Sequence, residues 1–99
     1  NDWAALLSAV EIPEGSTRDL TVFYSALYHS FMAPTTFSEI GGKYLGFDNQ
    51  VHTLPSGQLA YYTDMSIWDT HRTQFPLLGF LLPQVLQDIS RSLILMYQQ

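Results

Sequence analysis

The chain has 99 residues, which suits one small domain, and a formal net charge of −5 with only four lysines and arginines. This charge balance provides no basic stripe for nucleic acid, and the lack of cysteine excludes a disulfide framework and a thiolate metal site. Charged residues make up 13% of the chain and hydrophobic residues 46%. A charged share of about 25% is usual, so we expect other parts of a larger protein to cover much of the surface.

Two further features concern the ends of the chain and membranes. The sequence does not begin with Met and closes within a helical pattern, so we expect it to be an internal fragment. Its longest apolar run, residues 75–82, is interrupted by proline and glycine. That run is far shorter than the roughly 20 residues of a membrane helix, so no membrane partner is expected.

The first third of the sequence predicts two helices. Apolar residues at helical spacing favour a short helix over 3–10 and a longer one over 17–32. Ser16 or Thr17 is a suitable N-cap for the longer helix. Pro34 is expected to end that helix, because the residue before a proline avoids the helical region.

Residues 34–65 are punctuated by glycine and proline and contain short β-type segments. The pattern predicts strands over 43–45, 50–53 and 59–63, with turns at "GFDN" and "LPSG". We therefore expect a long excursion with one β-hairpin between the helices. An excursion of this length in a compact fold is usually functional.

Helical periodicity returns after the excursion. It predicts a helix over 70–82, kinked near Pro76, and a last helix that starts at Pro83. The last helix carries an apolar stripe with polar residues opposite it; the stripe is Leu86, Ile89, Leu93 and Met96, and the polar residues are Asp88, Arg91 and Gln98. The element order predicts a mainly α fold with a small β-hairpin insertion, either a helical bundle or part of an α/α toroid, with no domain boundary inside 1–99.

The stretch "SIWDTHR", residues 66–72, places an indole, a carboxylate and a guanidinium within five positions. The simpler interpretation is structural: Asp69 and Arg72 are three apart on a helix and can pair, with Asp69 or Thr70 as an N-cap. The functional interpretation is a sugar site. A carboxylate accepts from two vicinal hydroxyls, a guanidinium donates to others, and an indole covers the apolar face of the ring. Spacing leaves both open, and Trp68, Asp69 and Arg72 are the candidate substrate-binding residues.

Other chemistry is not indicated by spacing. The three histidines are scattered, no zinc motif occurs, and His29 is expected to be buried and bonded to a backbone or tyrosine group. Glycoside hydrolysis needs two facing carboxylates, but spacing pairs no two of the nine here. Five of them are expected to be solvated or capping: Asp2, Glu11, Glu14, Asp19 and Asp88. The others, in or beside the excursion, are Glu39, Asp48, Asp64 and Asp69. We assign no catalytic residue and no metal ligand.

Two long blocks of the sequence resemble glycoside hydrolase family 92. They are "FYSALYHSFMAPTTFSEIGGKYLGFDNQVH", residues 23–52, and "YYTDMSIWDTHRTQFPLLGFLLP", residues 61–83. Their order and separation match the family pattern, and the similarity extends over nearly the whole chain. Glu39, Lys43 and His71 stand where the family usually has Asp, Arg and Phe.

The resemblance implies a calcium-dependent, exo-acting, inverting α-mannosidase, with an N-terminal β-sandwich and a catalytic α/α toroid. The chain is then expected to be a fragment of an (α/α)6 toroid, comprising early helices and a hairpin-bearing loop. Trp68, Asp69 and Arg72 are implied to line the subsite for the terminal mannose. The family's catalytic Glu and Asp follow C-terminal to this stretch, so no catalytic residue or calcium ligand is transferred to these 99 residues.

The same resemblance implies the substrate and setting of the whole protein. We expect it to be periplasmic or secreted and to hydrolyse terminal α-mannosides, especially α-1,2-linked ones, from mannan or N-glycans. The isolated fragment is expected to be inactive. The alternatives are a non-catalytic helical interaction or sugar-binding module, and a different α/α-toroid glycosidase. Flanking sequence would distinguish them.

Overall fold

The computed structural model describes residues 2–99, whose contacts form two compact units that divide between Ala33 and Pro34. The first unit holds the helices α1 (Asp2–Leu7) and α2 (Thr17–Ser30). The second unit holds four short strands, β1 (Thr35–Thr36), β2 (Lys43–Leu45), β3 (Val51–Thr53) and β4 (Tyr62–Thr63), followed by three helices, α3 (Ile67–Thr70), α4 (Gln74–Leu81) and α5 (Pro83–Gln98). The predicted mainly α fold with a small β insertion is thereby confirmed.

The first unit is organised by a capped helix. Ser16 is the N-cap of α2: its hydroxyl accepts from the Asp19 backbone N–H at 3.1 Å and donates to the Asp19 carboxylate at 2.7 Å. Leu27 is the buried residue of this helix. The Tyr24 hydroxyl donates to the Val10 carbonyl at 3.0 Å and so holds the segment that follows α1 against α2. An N-cap of this kind contributes about 1 kcal/mol to helix stability.

The predicted hairpin is present in the second unit. Strands β2 and β3 pair antiparallel, with Lys43 opposite Thr53, Tyr44 opposite His52 and Leu45 opposite Val51. The connecting turn is closed by hydrogen bonds between backbone atoms of the "GFDN" stretch and its neighbours. Tyr44 is the buried member of the hairpin, at 4% exposure.

A second pair of strands was not predicted. Strand β1 pairs antiparallel with β4, with Thr35 opposite Thr63 and Thr36 opposite Tyr62. The predicted strand over 59–63 is therefore shortened to two residues. The backbone N–H of Leu59 donates instead to a side chain of α5, which removes it from any ladder.

The predicted single helix over 70–82 is divided into two. Residues 71–73 form a turn between α3 and α4, and Pro76 lies in the first turn of α4. Proline is tolerated there because the first N–H groups of a helix have no partner within the helix. The interruption predicted near Pro76 is therefore present as a break at residues 71–73, not as a kink within one helix.

The pair α4–α5 packs closely at one glycine. A Cβ added at Gly79 would lie 2.7 Å from the Leu86 Cδ2 atom, so a larger residue there would require the Leu86 side chain to shift. Pro83 occupies the first turn of α5, as predicted. Of the helices that the structure describes, none has the length and apolar character needed to cross a membrane.

Candidate functional site

The predicted sugar-binding residues follow a strained turn. Strand β4 ends at Thr63, and Asp64 and Ser66 then adopt left-handed backbone conformations with φ of 56° and 43°. Met65 lies between them and is buried, at 6% exposure. A left-handed residue other than glycine costs on the order of 1–3 kcal/mol and persists only where its surroundings fix it. We call residues 64–66 the αL turn.

Hydrogen bonds hold this turn to the short helix that it starts. The Ser66 carbonyl accepts from the backbone N–H groups of Asp69 at 2.9 Å and Thr70 at 3.1 Å. The Thr70 hydroxyl donates to the Met65 carbonyl at 2.7 Å, which reaches back across the turn. The αL turn and α3 are therefore one connected unit, and the direction of β4 determines the direction of α3.

The three candidate side chains, on α3 and in the turn that follows it, are all exposed. Trp68 is 78% exposed, and Asp69 and Arg72 are exposed as well. Trp68 and Asp69 are adjacent on α3, and Arg72 lies in the turn after it, where its backbone N–H donates to the Asp69 carbonyl at 3.4 Å. An indole, a carboxylate and a guanidinium are thus available to solvent within about one helical turn.

The purely structural interpretation of this motif is wrong in its particulars. Within residues 2–99, Asp69 and Arg72 form no ion pair. The N-cap position of α3 is Ser66, without a side-chain cap bond, and Asp69 and Thr70 lie inside the helix. The side chains of Asp69 and Arg72 are therefore exposed to solvent and not paired with each other.

A buried polar network lies behind the strand that leads to this turn. Asp88 on α5 is 2% exposed, so the prediction that it is solvated is wrong. One carboxylate oxygen accepts from the Leu59 backbone N–H at 3.0 Å and the other from the Gln84 amide at 2.9 Å. Burial, and then the charge of Asp88, raise the pKa of the Tyr62 phenol above its usual value.

Ser92, one turn along α5, completes the network and is fully buried. Its hydroxyl donates to the Asp88 carbonyl at 2.7 Å and accepts from the Tyr62 backbone N–H at 3.0 Å and the Gln58 amide at 3.2 Å. A serine hydroxyl has one donor and two acceptor positions, so every position is used. Asp88 and Ser92 are spaced i, i+4 and so lie on one face of α5, but the sequence pattern places Asp88 opposite the apolar stripe and gives no signal that the pair is buried.

The hairpin carries a separate polar pair. The His52 Nε2 atom lies 3.0 Å from both carboxylate oxygens of Asp48, and the Gln50 backbone N–H donates to the same carboxylate at 3.0 Å. That N–H, and then the imidazole, hold the pKa of Asp48 below its usual value of 3.8. The His52 ring stacks on Tyr44, with centroids 5.7 Å apart, and Tyr44 stacks on Tyr61 at 4.1 Å.

The histidines do not form a metal site. His29 is exposed on α2 with its ring edge-on to Tyr28 at 5.5 Å, so the prediction that it is buried is wrong. The His71 Nδ1–H donates to the Ile67 carbonyl at 2.7 Å. Among the residues that the structure describes, no three histidine or carboxylate groups come close enough to hold a metal ion.

Two concave surfaces of the second unit lie away from the candidate residues. A cleft of about 510 Å³ lies along α4 and α5; its lining residues are Gly79, Pro83, Gln84, Leu86, Gln87 and Ser90. A smaller cavity of about 240 Å³ lies at the hairpin; its lining residues are Phe37, Glu39, Lys43, Tyr44, Leu45 and Val51. Trp68, Asp69 and Arg72 line neither of these two surfaces.

Comparison with known proteins agrees with the resemblance. The glycosyl hydrolase family 92 catalytic domain model matches residues 1–99. The family GH92 α-mannosidase BT3965 from Bacteroides thetaiotaomicron is similar in structure, with a TM-score of 0.85 and 26% sequence identity over 98% of this chain and 13% of that one. The same enzyme in complex with mannoimidazole gives a TM-score of 0.84 and 26% identity over 98% of this chain and 12% of that one.

A third solved structure, the family GH92 glycosyl hydrolase ccman5, gives a TM-score of 0.83 and 29% identity over 97% of this chain and 13% of that one. A search of curated proteins found no match. The chain spans about one eighth of the length of these solved structures. The family model nevertheless covers every residue of the chain. The chain therefore belongs to glycosyl hydrolase family 92, as part of the catalytic domain.

Proposed function

We propose that this chain is a segment of an exo-acting, inverting α-mannosidase that removes terminal α-mannose, especially α-1,2-linked mannose, from mannan or N-glycans. Within the whole enzyme it contributes early helices of the (α/α)6 toroid and part of the subsite for the terminal sugar. Two findings support this: the catalytic-domain match over the full chain, and an α-mannosidase of similar fold that was solved with mannoimidazole.

One observation carries the assignment of the subsite. Trp68, Asp69 and Arg72 are exposed and unpaired with each other, and they follow the αL turn, which costs free energy to form. Trp68 offers an apolar face on which a sugar ring can stack. The Asp69 carboxylate can accept from two hydroxyls, and the Arg72 guanidinium can donate to further oxygens.

The role of these contacts follows from the chemistry of glycoside hydrolysis. The transition state resembles an oxocarbenium ion, which requires the sugar ring to flatten. Contacts with sugar hydroxyls away from the reacting carbon supply binding energy that stabilises the distorted ring. Trp68, Asp69 and Arg72 therefore bind and orient the sugar, while the general acid and general base of the family lie outside these 99 residues.

The described residues do not supply a ligand set for the calcium ion that the family implies. Calcium takes 6–8 oxygen ligands, usually including several carboxylates. Residues 2–99 bring no such group of carboxylates together. A calcium ion of the whole enzyme would therefore be held mainly by other residues.

The remaining surface and the setting complete the proposal. Many large apolar side chains of the chain are exposed, among them Ile40, Phe80 and Tyr97. We propose that other helices of the toroid and an N-terminal β-sandwich cover part of this surface, and that the whole enzyme is periplasmic or secreted. Detection of the native protein in the periplasmic or culture fraction tests the localisation.

The test of the subsite is Asp69→Ala in the full-length enzyme. Two lost hydrogen bonds to a carboxylate, each worth about 1.5–3 kcal/mol, predict a loss of roughly 10²–10⁴-fold in kcat/KM for release of mannose from α-1,2-mannobiose. Glu14→Ala removes an exposed carboxylate from the loop before α2 and serves as the control with normal activity. An Asp69→Ala enzyme that is folded and cleaves normally would refute the subsite. Release of mannose by the purified 99-residue chain would contradict its expected inactivity.

A further inference from the structure

Helix α5 holds β4 and the residues before it through side-chain acceptors, in addition to the pairing of β4 with β1. The Leu59 backbone N–H donates to Asp88 and the Tyr62 backbone N–H donates to Ser92, each at 3.0 Å. Both acceptors are at least 98% buried. Two neighbouring side chains on one helix face thus fix two points of the segment over residues 59–62.

Further contacts connect the same segment to α5. The Gln58 amide donates to the Ser92 hydroxyl and also to the Ala60 carbonyl at 2.8 Å. The Arg91 guanidinium donates to the Gly57 carbonyl and lies 3.7 Å from a carboxylate oxygen of Asp88. The segment before β4 therefore has few backbone groups free to shift.

The opposite side of the segment is fixed as well. The Tyr61 backbone N–H donates to the Ser38 hydroxyl at 3.1 Å, and the Tyr61 carbonyl accepts from the Phe37 N–H at 2.7 Å. The Tyr61 side chain is fully buried. Only Thr63 then separates Tyr62 from the αL turn. A rotation or shift of β4 would be passed directly to α3, because the Thr70 hydroxyl ties α3 back to Met65.

We propose that Asp88 and Ser92 are positioning residues for the sugar subsite: they hold β4 and the αL turn in the one orientation that presents Trp68 and Asp69 to the sugar. This inference rests on the proposed function. Neither residue touches the sugar; both act through the backbone of Leu59 and Tyr62. Misplacement of binding groups by about 1 Å can cost on the order of 10²-fold in rate, so the effect is measurable.

The experiment uses the full-length enzyme with Asp88→Ala, Asp88→Asn, Ser92→Ala and the control Gln87→Ala. Asn keeps an acceptor for the Leu59 N–H, so Asp88→Asn should retain part of the kcat/KM that Asp88→Ala loses. Gln87 is exposed on the same helix and is not a member of the buried polar network, so Gln87→Ala should behave like the native enzyme. We expect at least a tenfold loss of kcat/KM on α-1,2-mannobiose for both Ala variants, and a smaller loss for Asn.

A double-mutant cycle separates positioning from a merely structural role. If Asp88 acts through the αL turn, Asp88→Asn should lower kcat/KM by a smaller factor in a Trp68→Ala background than in the native enzyme. The reason is that the Trp68 indole, one of the groups that the turn positions, is already missing there. Equal losses in both backgrounds would overturn the proposal. This cycle needs only Asp88→Asn and Trp68→Ala, so it can be measured even if Ser92→Ala does not fold.

Hydrogen exchange distinguishes the failure of this inference from failure of the proposed function. We expect amides of residues 59–70 to exchange at least tenfold faster in Ser92→Ala and Asp88→Ala than in Gln87→Ala. Unchanged exchange refutes the positioning role whatever the activity. If the native enzyme releases no mannose but these amides loosen as expected, the proposed function is wrong and the connection from α5 to the turn stands.

Discussion

Adding one methyl group at Gly46 should loosen the hairpin, because the space is already filled on three sides. A Cβ built there would lie 2.5 Å from the Gln99 Oε1 atom, 2.8 Å from the Asp48 Oδ1 atom and 2.8 Å from the His52 Cδ2 atom. Each of these distances is shorter than real Cβ atoms tolerate. All three neighbours are side-chain atoms, so the cost depends on whether those side chains can move.

Each of the three side chains is tied by its own contacts. The Gln99 amide donates to the Tyr44 hydroxyl at 2.9 Å. Asp48 accepts the hydrogen bonds described above, and the His52 ring is stacked on Tyr44. Moving Gln99 alone forfeits one hydrogen bond, worth about 0.5–1.5 kcal/mol. Overpacking of a filled site typically costs about 1–3 kcal/mol, and we expect Gly46→Ala to destabilise the hairpin by that amount.

The assay is hydrogen exchange of the amides in β2 and β3 of the full-length protein. A cost of about 1–3 kcal/mol corresponds to roughly 5–150-fold faster opening of these strands. Gly41→Ala is the matched control, because an added Cβ there meets nothing within 4 Å. Neither glycine has a left-handed backbone, so the comparison isolates the steric effect. Equal exchange rates in the two variants would show that the hairpin yields to the methyl group, and the packing argument would fail.

Two further outcomes are expected elsewhere in the chain. Tyr24→Phe removes the hydroxyl that donates to the Val10 carbonyl, and should lower the free energy of opening of α2 by about 1 kcal/mol, read from amide exchange; no change would mean that this bond is not formed in solution. Because the pKa of Asp48 is lowered in the folded hairpin, its contribution to stability is present above pH 3.8 and is lost as the pH falls through the lowered pKa. Opening of β2 and β3 should therefore rise in acid more steeply in the native protein than in Asp48→Asn, and parallel curves would contradict it.

Most of the sequence predictions that hold are local. Ser16 caps α2 because its hydroxyl reaches an N–H three residues away, and Pro83 begins α5 because its missing N–H is not needed in the first turn. The hairpin forms over the predicted strands because turn residues and strand residues alternate within a short stretch. Periodicity, caps and turns involve neighbours in sequence, and they can be recognised without knowing the fold.

Two features that the sequence did not predict depend on distant partners. Strand β1 is too short to show a pattern, and it exists because β4, more than twenty residues later, supplies the hydrogen bonds. Asp88 was expected to be solvated, but its burial is compensated by the N–H of Leu59, 29 residues earlier. A buried carboxylate is tolerated only where hydrogen-bond donors face it. Patterns among neighbouring residues do not show which distant residues will supply those donors.

For the candidate site too, the sequence determined some properties and the tertiary structure decided others. Its chemistry was determined by the sequence alone, because an indole, a carboxylate and a guanidinium within five positions imply the same kinds of contact in any fold. Whether Asp69 and Arg72 would pair with each other or remain open was decided by the tertiary structure. The left-handed residues Asp64 and Ser66 set the direction of α3, and that strained backbone is held by packing of Met65 and by the polar contacts of β4 with α5, which join residues about thirty positions apart.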